Sequence, residues 1–235
     1  MSRGGFPSRW ILTSALLLGG LLPALAAPRF HRGKSDLGEV LARMNDAGKH
    51  LRTVTANLEY TTVTVLVNDQ STEYGQFFLR NPRRPEILIN FQKPDPKVIL
   101  FKKDKAEIYL PKINRIEQYD LARRSELVQQ FLLLGFGTET EDLKKSYGVR
   151  LESEEELQGE AAAVLELTPK DPAVASQLTK VEIWVSEGSW LPIQQKFSEA
   201  GGDYLIARYT NIKMNLAIPS SKFQIRASGA QRVKM

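Results

Sequence analysis

From Thr53 to Tyr119, and again from Val149 to Leu216, apolar residues tend to recur at every second position, with turn-forming residues between the runs. A period of two sends alternate side chains to opposite faces of a strand, so such a chain must bury at least one face of an antiparallel sheet. The runs are 53–67, 72–80, 87–92, 98–101, 106–110 and 113–119, followed by 149–158, 161–168, 178–187, 190–199 and 203–216. Between them stand Asn68-Asp69-Gln70-Ser71, Asn81-Pro82-Arg83-Arg84-Pro85, Pro94-Asp95-Pro96, Gly159, Pro169-Lys170-Asp171-Pro172, Gly188 and Gly201-Gly202, each a turn signal. The pattern predicts about eleven short antiparallel strands.

Two stretches follow a different period. Asp36 and Glu39 have the spacing of a capping box, and Leu37, Val40, Leu41, Met44, Ala47 and Leu51 then form one helical stripe. Midway, Leu127, Val128, Phe131, Leu132 and Leu134 sit at helical spacing until Gly135-Phe136-Gly137 ends the run. Thr138 with Glu141 opens a shorter helix to about Tyr147. The fold class expected is mainly β (α+β): a single curved antiparallel sheet or unclosed β-barrel of about eleven strands, with an N-terminal helix and a helical insertion over about 121–147.

So few helical residues cannot cover a large sheet as a separate layer, so they must fill its concave side and leave a cavity. Phe77, Leu79, Ile87, Ile89 and Phe91 share a parity within their strands and are predicted to line it. The run Leu132-Leu133-Leu134 is apolar nearly all round, as suits a helix that closes over such a cavity.

The N-terminus reads as an address. Arg3 and Arg9 precede an uncharged run from Trp10 to Leu22, and Ala24-Leu25-Ala26 supplies small residues at the −3 and −1 positions. At roughly 13 residues the run is short for a membrane span of about 20, so residues 1–26 are expected to be a signal peptide cleaved after Ala26. Its removal takes two arginines and no acid, lowering the formal charge from +5 to +3. Residues 27–35 have no apolar period and read as a flexible basic arm. With no cysteine after the apolar run, the exported chain has no site for a bacterial lipid anchor.

Absent cysteine also excludes disulfides, thiolate nucleophiles and thiolate metal sites. Only His31 and His50 are present, no spacing suggests a Ser-His-Asp triad, and the basic charge is too spread out to imply nucleic acid. The chain is therefore expected to have no catalytic residues, metal or cofactor; it is also expected to be a monomer.

Several segments carry a family resemblance. Gly75-Gln76-Phe77-Phe78-Leu79-Arg80-Asn81-Pro82, the strand Ile87–Phe91 with Pro94-Asp95, the paired strands Val98–Leu110 around Lys103-Asp104-Lys105, and Ser221-Lys222-Phe223-Gln224-Ile225 occur in order. In order and spacing they resemble the LolA-like periplasmic lipoprotein carriers, over about 36–233. The resemblance implies an unclosed barrel of eleven strands under a helical lid, closing on the 221–225 strand. It implies a periplasmic carrier that takes lipoprotein or lipid acyl chains from an inner-membrane ABC transporter toward an outer-membrane acceptor. Leu127, Val128, Phe131, Leu132, Leu134 and Phe136 would then be lid residues. Carriers of the best-known kind hold the lid with an arginine just before the proline. Here Asn81 has that slot and Arg80 lies one position earlier, so both are lid-contact candidates. The alternative is a lipid-sensing regulatory module on the same fold that controls a membrane or envelope-stress partner. Such sensors usually carry a second C-terminal domain, whereas this sequence ends at Met235 shortly after the expected closing strand, so the carrier is expected.

Overall fold

The computed structural model describes residues 36–121 and 134–235. The expected signal peptide (1–26), the expected arm (27–35), and Leu127, Val128, Phe131 and Leu132 lie outside the described residues. Helix α1 (Leu37–His50) is capped by Asp36, whose carboxylate accepts the Gly38 amide at 2.5 Å. Glu39 pairs along the helix with Arg43. The stripe is buried at Val40, Leu41 and Met44, each worth roughly 1.5–3 kcal/mol for leaving water.

The strands form one open sheet of twelve, in the order β12-β6-β5-β4-β3-β2-β1-β11-β10-β9-β8-β7. They are β1 (Thr53–Thr64), β2 (Asp69–Arg80), β3 (Glu86–Lys93), β4 (Lys97–Lys102), β5 (Lys105–Leu110), β6 (Arg115–Asp120), β7 (Tyr147–Leu157), β8 (Glu160–Pro169), β9 (Leu178–Ser186), β10 (Pro192–Glu199), β11 (Tyr204–Met214) and β12 (Gln231–Lys234). Two meanders, β1 to β6 and β7 to β11, run outward and inward and join where β1 pairs with β11. The outermost strands β12 and β7 do not pair, so the sheet stays unclosed.

Three expectations are corrected. The run 53–67 ends as a strand at Thr64, and Val65–Val67 turn in a 3-10 helix closed by Asn68 in the left-handed region. The short helix after Gly137 is α2 (Thr140–Ser146), with Glu139 at its N-cap position in place of Thr138. Its acids Glu141 and Asp142 lie in the first turn, where the helix dipole favours them. The segment 221–225 is not the closing strand. Ser220–Phe223 is a 3-10 turn, and the twelfth strand is Gln231–Lys234, paired parallel to β6 in an otherwise antiparallel sheet.

The two faces carry different loads. On the inner face, the register sets Ile99, Ile89, Phe77 and Ala56 side by side across β4, β3, β2 and β1. A further inner row runs from Tyr60 through Ala207, Gln195 and Ile183 to Leu165. Helix α1 packs on the β7–β9 half of this face, with Met44 beside Leu165 and Ile183 in one buried cluster. On the outer face of that half, Arg150, Glu166, Lys180, Glu182 and Lys196 form a cross-strand ladder of ion pairs. The outer face of β2–β4 is instead covered by the chain after β11. There Phe223 is buried against Leu88 and Leu100, with Ile218 and Ile225 beside it.

Candidate functional site

Strand parity places all five predicted cavity residues on the inner face. Phe77, Leu79, Ile87, Ile89 and Phe91 are buried in one cluster with Val54, Leu58 and Tyr209. The pairs Phe77–Ile89 and Leu79–Ile87 are directly opposite in the β2–β3 register, as a shared face requires.

Above this layer lies a cavity of about 590 Å³. Phe77 and Ile89 line it, together with Leu58, Tyr209, Ala207 and Gln195 on the sheet. Tyr60, Leu178, Phe197 and Leu205 form its walls, and Gln177, Glu199, Ala200 and Gly201 its rim. Leu79, Ile87 and Phe91 face the same side but belong to the packed layer, where Phe91 meets the Tyr60 ring edge-on at 5.8 Å. Sequence reading missed the contribution of β9–β11. The signal was present in β11, where Leu205, Ala207 and Tyr209 share one parity, although nothing in that alternation says what lies above them.

The lining holds a single ionisable acid, Glu199, on the exposed rim. Burial, reinforced by Glu73 and Glu199, pushes the Tyr60 hydroxyl up to about 12. Burial also raises Tyr209, with Tyr60 adding to it. Both phenols are neutral across the physiological range, so the deep part of the cavity is uncharged. It offers apolar contact and two hydroxyls.

The turn Leu134-Gly135-Phe136-Gly137 is fastened beside this cavity. Leu134 packs with α1 and the β7–β9 cluster, while Phe136 enters the β1–β3 cluster. The Phe136 ring lies 5.4 Å from Phe77 and 5.0 Å from Tyr209. Gly135 and Gly137 have φ of 84° and 79°, where a side chain is strained. A Cβ on Gly135 would fall 2.6 Å from Pro192, and one on Gly137 2.8 Å from Pro82. The backbone is thus pressed flat between the sheet and α1. Gln195, 2% exposed, donates to the Leu134 carbonyl at 2.6 Å and accepts the Tyr209 hydroxyl at 3.0 Å.

The two lid-contact candidates part company. Arg80 sits on the outer face, where its guanidinium donates to Glu86 and Ser220 and lies 4.6 Å from the Phe223 ring centre. Asn81, with φ of 52°, donates its amide to the Arg52 carbonyl at 3.0 Å. It borders a second, wider groove of about 1,320 Å³ that also holds Arg83, Arg84 and Gly137. Lys49, Arg52, Lys145, Glu139, Glu141 and Asp142 also line that groove, so its charge is mixed. Among the described residues there is no cluster of three metal-ligating side chains, and no helix is long and apolar enough to cross a membrane.

No curated protein matches the sequence. A family described as "Uncharacterized protein" matches residues 86–217, more than half of the chain. Among solved structures, an uncharacterized conserved protein from Thermus thermophilus is similar at a TM-score of 0.56 and 13% identity, over 84% of this chain and 98% of that one. MucB is similar at 0.53 and 16% identity, over 83% of this chain and 64% of MucB. A LolA superfamily protein from Nitrosomonas europaea is similar at 0.41 and 15%, over 81% and 98%. For the Thermus thermophilus protein and MucB, at such identities, the likeness is one of fold.

Proposed function

We propose, from the premise that the chain belongs to the family described as "Uncharacterized protein", that it is a non-enzymatic periplasmic carrier of acyl chains. The observation that carries this reading is the inner cavity of about 590 Å³, whose deep part is uncharged, a size within the range of about 300–1,000 Å³ typical of small-molecule sites. Each methylene it takes from water is worth roughly 0.8 kcal/mol, so a chain of about sixteen carbons would be held firmly. The ordered motifs that resemble LolA-like carriers support the same reading.

In this proposal residues 1–26 direct export and are removed after Ala26, 27–35 form a loose arm, and 36–235 form the carrier domain. Phe77 and Ile89 supply the floor that receives the chain, backed by the packed layer of Leu79, Ile87 and Phe91. The insertion, through Leu127, Val128, Phe131, Leu132, Leu134 and Phe136, competes with the ligand for that apolar surface. It closes when the cavity is empty and is displaced on loading. An inner-membrane ABC transporter would load the carrier and an outer-membrane acceptor would unload it.

The test is to purify the protein gently from the periplasm of an expressing diderm bacterium and identify co-purifying molecules by mass spectrometry. Acylated lipoprotein or free phospholipid is expected. Protein that emerges without lipid and does not bind a fluorescent polyene fatty acid overturns the reading.

A further inference from the structure

The longest hairpin, β1–β2, ends in three consecutive aliphatic residues with almost no cover. Val65 is 52% exposed, Leu66 93% and Val67 68%. From Tyr60 to Asn68 the sequence carries no charge. Hairpin tips are ordinarily built from Gly, Asn, Asp and Ser, and these side chains add nothing to the core.

The tip is held in place. The Asn68 amide closes the turn on the Val65 carbonyl at 3.1 Å. The Val65 amide donates to the Asp203 carboxylate at 2.8 Å, tying the tip to the β10–β11 turn. That turn is the cavity rim, where the Glu199 amide bonds the Asp203 carbonyl and the Ala200 amide bonds the Gln177 carbonyl. The exposed aliphatic tip therefore stands beside the mouth of the cavity. At the same end of the sheet, Pro111–Ile113 repeats the device: a 3-10 turn, a left-handed Asn114, and Ile113 at 58% exposure.

We infer that the Val65-Leu66-Val67 tip docks on a lipid bilayer and seats the cavity rim at its surface, so that an acyl chain passes between bilayer and cavity without crossing water. This rests on the acyl-carrier reading for its purpose. A bilayer fits better than a protein partner because the tip has neither the aromatic nor the arginine anchors that dominate protein interfaces. The charges flanking it, Asp69 and Asp203, are acidic, so apolar insertion drives docking and not attraction to anionic headgroups.

Flotation with phosphatidylcholine vesicles, and with phosphatidylethanolamine–phosphatidylglycerol vesicles, tests the inference on protein purified from the periplasm. The wild type is expected to float with both, equally at about 0.1 M and 0.5 M salt. Leu66→Asp should lower the bound fraction at least about tenfold while leaving the melting temperature unchanged. Binding of cis-parinaric acid offered without vesicles should survive this change, whereas its uptake from vesicles should slow. The inference is overturned by a wild type that does not float, by flotation that salt abolishes, or by flotation that Leu66→Asp leaves intact. Leu66-dependent self-association without flotation would assign the tip to a contact between copies, and overturns it too. Flotation is independent of the cavity. Failure of parinaric acid to bind at all therefore counts against the carrier reading alone.

Discussion

The ring of Phe136 stands edge-on to that of Tyr209, centroids 5.0 Å apart and planes at 83°. The Tyr209 hydroxyl bonds Gln195, whose amide in turn holds the Leu134 carbonyl. One turn of chain is thus latched to the inner face twice, by an apolar ring and by a buried polar relay. The apolar latch occupies surface beside the cavity, and the polar relay fixes the position of the Leu134 carbonyl.

Phe136→Ala removes the ring but keeps the relay. Phe136 is fully buried, so the loss should cost about 3–5 kcal/mol of stability. The vacated space adjoins Phe77 and Tyr209, both of which line the cavity. Fluorescent fatty acid should therefore bind more tightly to the variant than to the wild type, even as calorimetry records a lower melting temperature. Weaker binding by a folded variant would mean that Phe136 supports the ligand and does not compete with it.

Alkaline pH should destabilise the fold through its cavity phenols. An unfolded tyrosine titrates near 10, whereas Tyr60 is pushed up to about 12 by burial, with Glu73 and Glu199 adding, and Tyr209 is raised as well. A raised value means that the native state holds its proton longer than the unfolded state does. The stability is fully present below about pH 10 and is lost as the pH rises through about 12, at about 1.4 kcal/mol per pH unit for Tyr60 alone. Urea unfolding across that window should show the decline, and Tyr60→Phe should flatten part of it. An equal slope in the variant would locate the effect elsewhere.

Parity made the shared inner face legible, because Phe77, Leu79, Ile87, Ile89 and Phe91 could be buried together only if the strands paired without a slip between them; which of them would line a cavity was not legible. The same reasoning failed where alternation has more than one cause. Phe223 and Ile225 alternate like a strand, yet they do so to cover Phe78 and Leu88 on the outer face. Strand β12, reading Gln231-Arg232-Val233-Lys234, is short and polar because only an edge of β6 needs it. Gln195 has the composition of a solvated position, and only the long-range meeting with Leu134 and Tyr209 makes it a buried strut.

Arg80→Ala separates the outer face from the inner one. The guanidinium bonds Glu86 and Ser220 and lies over Phe223. Burial would raise the Glu86 carboxyl, but its bonds to Lys102 and Arg80 outweigh that and hold it below the usual range. Losing Arg80 should cost about 1–3 kcal/mol through the half-buried carboxylate left to Lys102 alone and the loosened Phe223. Fatty-acid affinity should stay within about twofold of the wild type, since a twofold change is well under 1 kcal/mol. A large change in lipid release at unchanged stability would return Arg80 to a role in holding the lid.

Filling the cavity from its own wall gives the sharpest test of where the ligand lies. Ala207 is buried on β11, between Tyr60 and Gln195 in the register, and faces the cavity. An indole at this position has open space ahead of it, so Ala207→Trp should cost no more than the roughly 1–3 kcal/mol of ordinary overpacking. It should nonetheless lower fatty-acid affinity at least about tenfold, because the added ring and the acyl chain need the same volume. Ile206→Trp, one residue earlier and on the opposite face, controls for bulk on the same strand. It should bind as the wild type does. If the two variants bind equally well while both unfold cooperatively, the acyl chain does not occupy this cavity, and the wider groove beside Asn81, Arg83 and Arg84 becomes the place to look.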